Sequence, residues 1–139
     1  MKTIKLIVNT KDRKYPIIIG SGISAQLQLI LNKNSIKFNK CLLVIDSKIP
    51  KKMINKIIKS FSKKKIITHI FNASETNKKQ SSINKIIEIL LKNNFHRNDC
   101  LISIGGGITG DVAGFASSIF KRGIKFINVP STLLAQVDS

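Results

Sequence analysis

The sequence predicts an α/β protein with a doubly wound, mostly parallel sheet and an N-terminal antiparallel hairpin. Three observations carry this. From Cys41 onward, short β-branched apolar runs alternate with runs whose apolar residues recur at helical spacing. Two apolar runs at the start are separated by only a short polar turn. Finally, Gly105-Gly106-Gly107 stands between an apolar run and a small-residue helix, the order strand, glycine loop, helix.

In chain order, Thr3–Val8 and Tyr15–Ile19 form the hairpin around Lys11, Asp12, Arg13 and Lys14, and Gly20 and Gly22 end it. Ser24 is placed to cap a helix carrying Leu27, Ile30 and Leu31. Cys41–Ile45 reads as a buried strand, and Pro50 opens a helix to Phe61 with Met53, Ile54, Ile57 and Ile58 on one face. Lys65–Phe71 is the next strand and Ser81–Asn93 the next helix. Leu101–Ile104, a helix over Gly110–Phe120, Lys125–Val129 and the start of a helix from Thr132 complete the alternation. Such alternation implies parallel strands covered by helices on both faces. With 139 residues and no low-complexity linker, residues 1–139 are expected to be one domain. The chain stops just as Leu133–Val137 begins a helical pattern, which predicts a truncated domain.

The glycine loop is the expected ligand site. Glycines permit φ > 0 and close approach of backbone N–H groups to an anion, and a helix beginning near Asp111 or Val112 would aim its positive end at the same place. Gly105, Gly107 and Gly110 also satisfy G-x-G-x-x-G. The strand after this loop ends in Pro130 and Ser131 with no acid, whereas Asp46 closes the strand Cys41–Ile45. A dinucleotide would then set its diphosphate on the loop and its adenosine ribose at Asp46, both at carboxyl ends of parallel strands. The same residues also fit a plain tight turn with Asp46 as a helix cap.

Composition excludes several classes. The chain is 42% hydrophobic, so it is globular rather than disordered. No apolar run approaches the roughly 20 residues of a membrane span, and Lys2 and Lys5 precede too short an apolar run for a signal peptide, so a cytoplasmic location is expected. Cys41 and Cys100 lack C-x-x-C spacing and read as small core hydrophobes; His69 and His96 are far apart, and no complete metal site is expected. A net charge of +17 is the argument for a nucleic-acid partner. The lysines, however, are spread through nearly every segment, with only Arg13, Arg97 and Arg122 as arginines, which favours a solvated surface over a specific nucleic-acid site.

The run from Gly105 to Ser139, GGGITGDVAGFASSIFKRGIKFINVPSTLLAQVDS, strongly resembles the nucleotide-binding half of 3-dehydroquinate synthase, a sugar-phosphate cyclase family. Ser74-Glu75-Thr76-Asn77-Lys78 resembles its G-E-x-x-K element, and Val44-Ile45-Asp46 extends the likeness. The resemblance covers this chain and about two-fifths of the family's length. It implies a Rossmann-like fold, NAD and a divalent metal (Zn or Co) as cofactors, and conversion of 3-deoxy-D-arabino-heptulosonate 7-phosphate to 3-dehydroquinate and phosphate in the shikimate pathway. By the same resemblance Asp46, Ser47 and Lys48 contact the adenosine ribose region, and Ser74, Glu75 and Lys78 fix the dinucleotide. Gly106, Gly107, Ile108, Thr109, Gly110 and Asp111 lie at its diphosphate and nicotinamide ribose, with Ser131 and Thr132 in place of paired threonines. Asp138 is matched to a substrate-contacting acid, and Arg122 to an arginine reaching a neighbouring subunit's substrate phosphate in a homodimer. Ser74 replaces a glycine and would be strained if φ > 0 were required there. The family's metal ligands, one Glu and two His, would lie beyond Ser139, so the chain alone is expected to be inactive or to need a complementary C-terminal chain. The alternatives are an NAD-dependent polyol or alcohol dehydrogenase relative, whose glycine loop continues differently, and a non-catalytic basic module binding nucleic acid.

Overall fold

Four parallel strands in the order β4-β3-β5-β6 organise the computed structural model, which describes residues 3–61 and 63–137. The strands are β3 (Lys40–Asp46), β4 (Lys65–Phe71), β5 (Cys100–Gly105) and β6 (Lys125–Pro130). They belong to a unit formed by Phe38–Pro50 and Lys63–Ser139. A second unit, Met1–Lys37 with Lys51–Ser62, contains the antiparallel hairpin of β1 (Ile4–Asn9) and β2 (Lys14–Ile19), then α1 (Leu27–Lys33) and α2 (Lys51–Ser60). The alternation, the parallel sheet and the N-terminal hairpin are those expected from the sequence.

In the hairpin unit Thr10 closes the turn, its hydroxyl donating to the Arg13 carbonyl at 2.9 Å and accepting the Arg13 amide at 3.0 Å. Cross-strand register pairs Ile4 with Ile19 and Leu6 with Ile17, placing these residues on one face together with Tyr15. All five are exposed. The expected cap at Ser24 is not formed. Gly22, at φ 71°, instead starts a 3₁₀ turn over Ile23–Gln26, and α1 begins at Leu27 without a side-chain cap. Pro50 lies just ahead of α2, and Ile57 and Phe61 are buried.

In the sheet unit β3 and β5 are near-continuous apolar runs because successive side chains, which point to opposite faces, are all buried: Cys41 through Ile45 and Cys100 through Ile104 have no exposure. Leu42, Val44 and Leu101 pack with Ile86 and Leu90 of α3 (Gln80–Lys92) and Val112 of α4 (Gly107–Ile119). Cys41 and Cys100 are register partners, both free thiols; burial, then the neighbouring Cys100 thiol, pushes the Cys41 thiol far up. Part of the lysine content has a structural use. Lys40 donates to the carbonyls of Asn93 (2.7 Å) and Asn94 (2.9 Å), Lys121 to Phe95 (2.8 Å) and Lys125 to Asn98 (3.0 Å), tying down the connection from α3 to β5. A short helix, α5 (Leu133–Val137), leaves Leu133, Leu134 and Val137 exposed. No helix among the described residues is long and apolar enough to cross a membrane.

Candidate functional site

The chain turns from β3 toward β4 on one side and from β5 toward β6 on the other, so the carboxyl ends of β3 and β5 form the topological switch point of the sheet. In open α/β sheets that is where ligands bind. Asp46 ends β3 and Gly105 ends β5, 59 residues apart in sequence yet in van der Waals proximity: a β-carbon on Gly105 would lie 2.9 Å from Asp46 Cβ. The sequence placed both at this end of the sheet, and the structure brings them together.

The loop differs from expectation in two respects. The helix starts at Gly107 rather than at Asp111 or Val112, with the Gly110 amide donating to the Gly106 carbonyl at 3.1 Å. Consequently Thr109 and Gly110 are buried inside the first turn, and Ile108 turns its side chain to the core. The glycines of the loop are also not used for left-handed backbone; among the described residues positive φ at glycine occurs only at Gly22 and Gly123. Their use is steric. At Gly105 a β-carbon would meet Thr109 Oγ1 at 2.7 Å, at Gly107 it would project into open space, and at Gly110 it would make ordinary contact with Asn128 Oδ1 at 3.4 Å. Gly106 is extended and supplies no side-chain cap, so the first amides of the 13-residue helix α4 lack helical acceptors. An amide cluster with the positive end of a helix behind it suits an anion.

Around this centre, Asp46 is nearly buried and one carboxylate oxygen accepts the Lys48 amide at 3.0 Å, while Ser47 and Lys48 are exposed in the turn. Lys48 and Ile49 amides bond back to Asp46, so the acid does cap the turn before α2, and this leaves its other oxygen for a further partner. Ser74 is extended at φ −140°, so the serine there carries no backbone strain. Glu75 is exposed in a 3₁₀ turn over Glu75–Asn77, and Lys78 forms an ion pair with Asp111 at 2.7 Å, each about half exposed. Lys78, Asp111, Val112, Ile83 and Phe115 line a cleft of about 420 Å³. The sequence reading assigned Lys78 and Asp111 separately; their mutual pairing and the contributions of Ile83 and Phe115 were not foreseen.

On the other flank the Ser131 amide donates to the Gly105 carbonyl at 2.8 Å, and Thr132 caps α5 by accepting the Ala135 amide at 3.2 Å. Arg122 is exposed in the middle of three residues with positive φ, Lys121 (φ 47°), Arg122 (φ 65°) and Gly123 (φ 109°). Asp138 lies outside the described residues. A polar pair also escaped the sequence reading: Ser103, fully buried, donates to Asn128 Oδ1 at 2.7 Å across β5 and β6. Its signal was a polar residue within each of two apolar runs. Among the described residues no three His, Cys, Asp or Glu side chains gather into a metal-ligand set.

Thr109 is the remaining anomaly. Its side chain has no exposure, and its hydroxyl has no hydrogen-bond partner among the described residues. An unpaired buried hydroxyl costs about 1–3 kcal/mol, so its lack of a partner calls for an explanation.

Comparison with known proteins gives consistent matches. Residues 68–139 match the family model described as 3-dehydroquinate synthase N-terminal. The chain is 59% identical over 139 residues to 3-dehydroquinate synthase of Pelagibacter ubique (strain HTCC1062), covering 100% of this chain and 38% of that protein. It is 41% identical over 143 residues to 3-dehydroquinate synthase of Blochmanniella floridana, covering 97% of this chain and 37% of that one. The chain therefore spans less than two-fifths of the length of these curated relatives. Among solved structures it is similar to 2-deoxy-scyllo-inosose synthase complexed with carbaglucose-6-phosphate, NAD+ and Co2+, with a TM-score of 0.87 at 24% identity over 97% of this chain and 36% of that one. That likeness is one of fold.

Proposed function

We propose, given that this chain belongs to the 3-dehydroquinate synthase family, that it is the part of such a synthase that binds NAD+. The proposed overall reaction is conversion of 3-deoxy-D-arabino-heptulosonate 7-phosphate to 3-dehydroquinate and phosphate, carried out in the cytoplasm. The observation that carries the reading is the meeting of Asp46 with the glycine loop at the switch point, an acid for a ribose diol beside an uncapped helix N-terminus for a diphosphate. The residues fit the group: Gly105 is packed where any side chain would intrude, and Gly107 faces open space where a phosphate can reach backbone amides. The similar inosose synthase holding NAD+ adds support.

Asp46 accepts the ribose hydroxyls, with Ser47 and Lys48 beside it, while the amides of Gly106, Gly107 and the first helical turn hold the diphosphate. Lys78 brings a positive charge to the dinucleotide, and its pairing with Asp111 keeps that charge on the α4 side of the site. Ser74 and Glu75 shape the loop that presents Lys78, and Ser131 and Thr132 border the nicotinamide side. NAD+, when bound, supplies reversible hydride acceptance from a substrate carbinol. Arg122 and Asp138 are assigned to substrate, Arg122 to the phosphate of a sugar phosphate held by the other subunit of a homodimer. Among the described residues no ligand set for a divalent metal gathers, and the role proposed for these residues is to bind the dinucleotide.

Calorimetric titration of the 139-residue chain with NAD+ tests this. Saturable binding is expected, weakened about tenfold or more in Asp46→Asn through loss of charged hydrogen bonds. DNA affinity that falls steeply with salt, with no uptake of NAD+, would instead identify a basic nucleic-acid module.

A further inference from the structure

We propose that Thr109 is a positioning residue of the dinucleotide site: its buried hydroxyl donates to the Asp46 carboxylate once ligand is bound, and so fixes that acid for a ribose diol. The inference rests on the dinucleotide reading above. It begins from the missing partner of Thr109 Oγ1. A threonine in a helix ordinarily returns its hydroxyl to the carbonyl four residues back, here Gly105. That carbonyl receives the Ser131 amide at 2.8 Å, and the Thr109 hydroxyl makes no bond to it.

The hydroxyl points into the gap created by the absent side chain of Gly105. The position of a β-carbon on Gly105 is 2.7 Å from Thr109 Oγ1 and 2.9 Å from Asp46 Cβ, so the hydroxyl and the root of the acid flank one small space. Three elements meet there: the ends of β3 and β5 and the first turn of α4. An ionised carboxylate offers about four acceptor positions. Lys48 N–H fills one. Two vicinal ribose hydroxyls fill two more, and the last is left for a donor from inside the protein. Thr109 is the buried donor without a partner on that side, across the small gap at Gly105 from the Asp46 side chain. The glycine at position 105 thus serves communication between acid and hydroxyl as well as access for phosphate.

Thr109→Val, which keeps shape and removes the hydroxyl, and Thr109→Ser, which keeps the hydroxyl, are compared with the unaltered 139-residue chain. Thermal melting is recorded without ligand, and calorimetric titration uses NAD+ and 2′-deoxy-ADP, which lacks the diol. Without ligand, Thr109→Val is expected to melt at or above the temperature of the unaltered chain, because it loses an unsatisfied hydroxyl. It should nonetheless bind NAD+ about tenfold more weakly, the worth of one charge-assisted hydrogen bond, whereas Thr109→Ser stays within about threefold. Both the unaltered chain and Thr109→Val should bind 2′-deoxy-ADP alike. A valine variant that melts several degrees lower without ligand would show the hydroxyl to be already partnered, and overturn the proposal. Equal NAD+ affinity in the valine variant, or an equal loss for both ligands, would overturn it too. Failure of the unaltered chain to take up NAD+ would sink the dinucleotide reading itself, a result distinct from uptake that ignores the valine.

Discussion

Gly105 and Gly107 stand two positions apart in one loop and restrict side chains for opposite reasons. A methyl at 105 would collide with Thr109 and Asp46, whereas one at 107 would meet nothing within 4 Å. Gly105→Ala is therefore expected to destabilise the chain by about 1–3 kcal/mol, the usual cost of overpacking. Gly107→Ala should keep or slightly raise the melting temperature, since alanine is the better helix former, while weakening NAD+ binding by about tenfold or more as the methyl stands over the amides. Denaturant melts and titrations of both variants check this. At this scale the sequence placed Asp46 and the glycine loop at one end of the sheet but did not show how each residue packs there. Asp46 was legible because it is an acid at the end of an apolar run. The steric use of the glycines was not, because what approaches a missing side chain comes from residues far away in sequence. Thr109, read as one more loop residue, proves to be buried because the helix starts two residues before it.

Helix ends were less legible than the helices themselves: the cap expected at Ser24 is not formed. Both α1 and α3 close with the same pair of reverse bonds: Ile36 N–H to Leu31 O and Ser35 N–H to Asn32 O in one, Phe95 N–H to Leu90 O and Asn94 N–H to Leu91 O in the other. The left-handed residue of that motif is usually glycine, yet here it is Ser35 (φ 59°) and Asn94 (φ 52°). Ser35→Gly is expected to stabilise by about 0.5–1 kcal/mol, and Asn94→Gly by less, because asparagine tolerates the conformation better. Equilibrium unfolding in urea measures both. The start of α4 was misjudged for a related reason. Three glycines argue against helix locally, but burial of Val112, Ala113 and Ala116 against the sheet outweighs their propensity and draws the helix back to Gly107. The strands were easier to find, since burial on both faces leaves unbroken apolar runs.

For the molecule as a whole, charge and apolar exposure pull in opposite directions. The net charge of +17 keeps copies apart. Exposed Leu133, Leu134 and Val137 on α5, and the outward Ile4, Leu6, Tyr15, Ile17 and Ile19 of the hairpin, favour association. Salt screens the first influence and spares the second, so sedimentation should show association growing as salt rises from about 0.05 to 0.5 M, where the screening length falls well below 10 Å. Replacing Leu133, Leu134 and Val137 by Ser should reduce it. A chain that stays monomeric throughout would show these surfaces to be too small to hold copies together.

The pairing of β3 with β5 carries one more consequence. Asp46 and Gly105 become neighbours only after the chain has passed through β4 and α3, so the two halves of the pocket are brought together by a distant closure and not by local structure. The proposed coenzyme site is thus assembled by non-local pairing, and a ligand that binds only the paired state would favour the assembled central sheet.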